Sequence, residues 1–181
     1  MANIWRPKAN VLIVLLKHDL LTFAFNTREE RDMVKKGGSW LFNGYLVALA
    51  EVDGVSNLTK ILLTSQEFCV QVKGLPLSFM TRLMGSMIGE ALGGYVVTDP
   101  SRKEVQLGSC LGVRTLVDLT KPLRQSLILR LDREPIKVAL RYEKLPITCY
   151  RCGCIGHMET SSSLIGDIYH DDRAKPYGKW F

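Results

Sequence analysis

The chain lacks any apolar run near the ~20 residues a membrane-spanning helix needs. Its longest, VLIVLL at 11–16, is read as a buried strand. Lys17, His18 and Asp19 follow at once and no small-residue cleavage pattern appears, so no cleavable leader is expected. There are too few cysteines, and in the wrong arrangement, for a secreted disulfide framework: five in all, three of them crowded into 149–154. That pattern points to metal chemistry in a reducing compartment, the nucleus or cytoplasm. Internal repeats and low-complexity stretches are absent. No oriented nucleophile, base and oxyanion-binding group can be assembled from the motifs, so no enzyme is expected.

What is present describes a folded chain. Hydrophobic residues make up 46% and charged residues 23% of 181 positions, the balance of an ordinary globular protein. That length suits one well-buried domain with a small appendage. The net charge is +6, and it is unevenly placed. Residues 1–100 carry an excess of +1, residues 101–160 of +5, and residues 161–181 of 0. A polyanion would be drawn to the middle segment, although an Arg-rich solvated sheet face would show the same bias.

Local patterns alternate between strand and helix. LLTFAFN (20–26) has the period of two of a half-buried strand, and Thr27 can cap a short helix carrying Met33 and Val34 and ending at Gly37-Gly38. Asn43-Gly44 signals a hairpin turn, and EFCVQV (67–72) a further strand. A second helix is predicted over LSFMTRLMGSMIGEALGG, with Ser78 as its cap and Leu83, Met84, Met87, Ile88 and Leu92 on its packed stripe. From Gly112 the chain turns to strands. In SLILRLD and KVALRYEK the alternation sets Leu127, Leu129, Val138, Leu140 and Tyr142 inward and projects Arg130, Lys137 and Arg141 together from the outer face. The predicted class is α+β, an antiparallel sheet with two helices. A sandwich like the RNA-recognition motif is one arrangement open to it, followed by a small degenerate zinc knuckle.

The knuckle reading rests on LPITCYRCGCIGHMETSSS (145–163). The pattern C-x-x-C-x-x-x-x-H-x-x-x-x-C is met by Cys149, Cys152 and His157, but its last place holds Ser162. Structural zinc sites want four protein ligands, and a serine hydroxyl stays protonated near neutral pH. Water, Cys154 or His170 are the alternatives for the fourth position; an unmetallated remnant is the other reading. Gly153 and Gly156 suit the tight turns between ligands. In knuckles of this type Tyr150 and Met158 would stack on a base, with Arg151 on phosphate. A three-ligand site is expected to hold its loop loosely, which would leave binding mainly to the basic strands. Cys69, Cys110 and His18 are read as ordinary core residues.

VRTLVDLTKPLRQSLILRL followed by RYEKLPITCYRCGCIGH resembles the segment that joins the conserved N-terminal domain to the CCHC knuckle in plant LINE-type (non-LTR) retrotransposon gag-like proteins. GGSWLFNGYLVAL, EFCVQVKGLPLSFMT and PYGKWF resemble further parts of the same family. Cys69 stands where that family usually has tryptophan, and Ser39 where it usually has proline. The resemblance implies an N-terminal α+β domain at 1–111, a basic strand segment at 112–148, a degenerate knuckle at 149–162 and an irregular tail at 163–181. It also implies a Zn2+ cofactor and single-stranded RNA or DNA as partner, with no membrane. Lys121, Arg124, Arg130, Lys137, Arg141, Lys144, Tyr150, Arg151 and Met158 are the expected contacts. A self-association or protein-interaction module and a non-functional transposon fragment are the competing readings.

Overall fold

The computed structural model describes residues 5, 10–16, 20–52, 61–98, 110–131, 134–161 and 177–178; His18, Ser162 and His170 lie outside them. The class is α+β, with two α-helices and antiparallel sheets among the described residues.

The N-terminal part is built from local signals. β1 (Leu12–Leu15) and β2 (Leu21–Ala24) form a two-stranded antiparallel ribbon. The expectation of a buried strand at 11–16 is corrected here: Leu12 and Leu15 are 65% and 69% exposed. β1 has β2 as its one described neighbour, so its two faces gain little cover. Helix α1 (Arg28–Lys36) starts where the Thr27 hydroxyl accepts the Glu30 N–H at 3.2 Å, and stops at Gly37. β3 (Trp40–Phe42) and β4 (Tyr45–Val47) meet at Asn43 and Gly44, both at positive φ (50° and 83°), as a two-residue primed turn requires. Trp5 is buried against Phe23, with ring centroids 4.7 Å apart, and against Phe25 and Trp40.

The main core lies under a five-stranded sheet of order β6-β7-β5-β9-β8. Its strands are β5 (Ser65–Lys73), β6 (Tyr95–Thr98), β7 (Cys110–Asp118), β8 (Ser126–Leu131) and β9 (Glu134–Tyr142). Helix α2 (Arg82–Leu92) packs on one face. Alternation along the strands buries Phe68, Val70, Val72, Val113, Val138 and Leu140 beneath Met84 and Ile88 of α2. Two details of α2 differ from the sequence reading. The cap is Thr81, whose hydroxyl accepts the Met84 N–H at 3.2 Å, because Leu77–Phe79 form a separate 3₁₀ turn containing Ser78. Leu83 and Met87 face solvent, since at 100° per residue the stripe 84, 88 that meets the sheet turns 83 and 87 away. Strand β6 has no counterpart in the sequence reading.

The expected boundary between residues 111 and 112 falls inside β7, and the sheet hydrogen-bonds β5 to both β7 and β9. Cys69 and Cys110 are partly exposed rather than core residues.

Candidate metal centre and basic face

After β9 the chain turns back on itself. An antiparallel bridge pairs Thr148 with Ile155, and Gly156 N–H donates to the Ile147 carbonyl at 2.9 Å. Inside this turn Cys149 N–H donates to Cys154 O (2.9 Å) and Gly153 N–H to Cys149 O (2.8 Å). Gly153 (φ 73°) and Gly156 (φ 94°) take the left-handed conformations that the sequence reading asked of them. The turn is docked, not tethered. Leu123 N–H, from the β7–β8 connection, donates to Gly153 O at 2.9 Å, and Leu145 and Ile155 pack against the main core. The expectation of a loosely held loop is therefore corrected: its backbone is bonded internally and to the domain, and Cys149 is fully buried.

This turn brings three donors together. The ligand atoms of Cys149, Cys152 and His157 all lie within 4.8 Å of one another, and Cys152 Sγ is 3.2 Å from His157 Nε2. Zinc bonds of about 2.3 Å to sulfur and about 2.0–2.1 Å to nitrogen set adjacent tetrahedral donors about 3.5–3.8 Å apart, so small side-chain adjustments suffice and the residues fit the ion. Burial holds the Cys152 thiol above its ordinary pKa, against a backbone hydrogen bond from Cys154 that lowers it, and the Cys149 thiol adds to the rise. A coordinated zinc would reverse that preference and supply folding free energy to the turn. Cys154 lies outside the three-donor group and turns its sulfur to the Cys152 carbonyl at 3.9 Å. Around the donors Tyr150 is half-buried, Arg151 is exposed and Met158 is 55% exposed.

The basic residues divide into two sets. Ladder partners share a face, so the pairs Arg130↔Pro135, Ile128↔Lys137, Gln71↔Arg141 and Lys73↔Ala139 place Arg130, Lys137, Arg141 and Lys73 on the outer face of β8, β9 and β5. None of these four cations makes an ion pair with a described residue. Lys73 escaped the sequence reading, although its parity, opposite to Phe68, Val70 and Val72, marks it. The other set is engaged elsewhere. Lys121 pairs with Asp118 at 2.7 Å; that bond, with those from Thr120, lowers the Asp118 carboxyl to about 2. Arg124 donates to Ala91 O at 3.1 Å, at the C-terminal end of α2. Lys144 donates to Gly37 O at 3.3 Å and sits 5.4 Å from the Trp40 ring centroid.

The outer face of the central strands carries Glu67, Cys69 and Gln71 on β5 and Gly112, Arg114 and Leu116 on β7, with no aromatic side chain among them. The base-stacking surface of an RNA-recognition-motif sheet is thus missing there. Arg114 instead bonds Lys36 O at 2.7 Å, approaches Cys69 Sγ at 3.5 Å and pairs with Glu67 at 3.6 Å, fastening the end of α1 to the sheet.

Residues 117–162 match a family described as a zinc knuckle. That span takes in β8 and β9 as well as the ligand turn. No curated protein and no solved structure matches the chain. Among the described residues no helix is long and apolar enough to cross a membrane.

Proposed function

We propose that the chain is a non-enzymatic nucleic-acid-binding protein, a gag-like accessory protein of plant LINE-type retrotransposon origin. It engages single-stranded RNA or DNA through its knuckle and its basic sheet face, in the nucleus or cytoplasm. One observation carries this reading: Cys149, Cys152 and His157 converge within 4.8 Å inside the span that matches the zinc knuckle. The cations at Arg130, Lys137, Arg141 and Lys73, which make no ion pair among the described residues, support it, since a sheet face without aromatics can contribute through phosphate. The retrotransposon origin rests on the resemblance of the VRTLVDLTKPL, YEKLP and C-x-x-C motifs. Zinc content of the purified chain, measured beside its affinity for single-stranded RNA across a salt series, tests the function. One bound zinc and an affinity falling linearly on a log–log salt plot are expected; neither metal nor salt-sensitive binding would refute it.

A self-association reading is favoured by one feature, the exposed apolar edge strand β1. Concentration-dependent sedimentation distinguishes it, and dimers without RNA affinity would make it the primary function.

A further inference from the structure

Tyr177 returns to the metal centre at two points. Its backbone N–H donates to the Tyr150 carbonyl at 3.1 Å, and its ring lies directly on Gly153, where an added Cβ would overlap the ring atoms. Those contacts flank Cys152, one on each side of it in sequence. Gly178, next in the chain, is buried. The segment expected to be an irregular tail therefore contributes a residue to the knuckle. The same Gly153 is also bonded through its carbonyl to Leu123. The Cys149–Cys154 turn is thus contacted at Gly153 by both Leu123 and the Tyr177 ring.

We propose that Tyr177 is a positioning residue of the metal centre, a strap that holds the Cys149–Cys152 turn in its ligating shape where the sequence has Ser162 in place of a fourth cysteine. A four-ligand knuckle closes its loop through the ion itself. With three protein donors the ion fixes less of the chain, so more of the ordering must come from contacts already made without it. Ordering each residue of the turn costs backbone entropy. A turn ordered in advance by Tyr177 and Leu123 avoids repeating that cost when metal binds. The glycine at 153 has two roles in this arrangement, admitting the positive φ of the turn and leaving room for the ring. The strap acts through the packing of the ring on Gly153 and a backbone bond to Tyr150.

This inference rests on the zinc reading above. The test is Co2+ titration of the full chain, followed by its visible absorption and by Zn2+ competition, for wild type, Tyr177→Ala and Tyr177→Phe. Amide exchange over residues 149–156 of the metal-free proteins supplies a second readout. Tyr177→Ala is expected to weaken metal binding about ten- to hundredfold, the range of other outer contacts around metal ligands, and to speed exchange in the turn. Tyr177→Phe, which keeps the ring, should lose less than Tyr177→Ala in both. Wild-type affinity and exchange in Tyr177→Ala would overturn the strap while leaving the knuckle reading intact. Equal losses in both variants would overturn the packing account in favour of the hydroxyl. A wild type that binds no metal would overturn the strap and the knuckle together. Should Tyr177→Ala fail to fold, unchanged affinity and exchange in Tyr177→Leu, which removes the aromatic ring but keeps apolar bulk, would equally count against it.

Discussion

Leu123 donates its backbone N–H to the carbonyl of Gly153 at 2.9 Å, joining the connection between two sheet strands to the middle of the ligand turn. The knuckle is in consequence part of the domain surface, and its side chains are presented from a fixed base. A flexibly tethered knuckle would lose entropy on ordering against nucleic acid; this one has already lost most of it in folding.

That docking sets the expected behaviour of Tyr150. Tyr150→Ala should reduce affinity for single-stranded RNA by about 1–3 kcal/mol in the presence of zinc, the contribution of one stacked base. Chelation should remove most of the difference. Fluorescence-anisotropy titrations of both proteins, with and without chelator, check this; equal affinities with zinc present would exclude Tyr150 as a stacking residue.

The basic face gives a contrast between two sets of cations. Replacing Lys73, Arg130, Lys137 and Arg141 by Gln should weaken binding to many sequences alike and lower the salt slope by up to about 0.7 for each phosphate left without its cation. Lys121→Gln and Arg124→Gln should do less, because these side chains already serve Asp118 and the end of α2. A quadruple variant with the wild-type slope would remove the sheet face from the interface.

At position 162 a cysteine can be restored. Ser162→Cys supplies the donor type that the C-x-x-C-x-x-x-x-H-x-x-x-x-C pattern asks for, and Zn2+ affinity should rise by about tenfold or more. Competition against a chromophoric chelator reads the change. Unaltered affinity would mean that three protein ligands already satisfy the site.

Helix α2 offers a test of its cap. Thr81→Ala should cost about 0.5–2 kcal/mol in urea unfolding, whereas Ser78→Ala should cost less, as Ser78 lies outside the helix. The reverse order would place the helix start at the earlier position.

Tyr142 carries a pH signature. Burial pushes its phenol up to about 12, against the lowering effect of a backbone hydrogen bond at Arg124 and of the Arg124 charge. The folded state then holds a proton that the unfolded state gives up near pH 10, so stability falls as pH rises from about 10 through 12. Urea midpoints of wild type and Tyr142→Phe should converge across that window, and a constant difference between them would show that Tyr142 is not the group responsible.

Much of this protein is legible in short stretches. The Thr27 cap, the Asn43-Gly44 turn, the alternation that sends Arg130, Lys137 and Arg141 to one face, and the spacing of Cys149, Cys152 and His157 all depend on neighbours a few residues apart. Backbone sterics and side-chain direction act at that range, so the sequence by itself determined them. Other features needed the tertiary structure. The run at 11–16 is exposed because of what pairs with β1, and Met84 rather than Met87 is buried because of which side of α2 meets the sheet. Lys73 joins the basic face through its register with Ala139, while Arg124 and Lys144 are drawn to helix ends 33 and 107 residues away. Leu123 and Tyr177 reach the ligand turn from distant parts of the chain. These outcomes follow from burial and pairing between remote segments, and the alternation or spacing within any one segment contains no information about which partner it will meet.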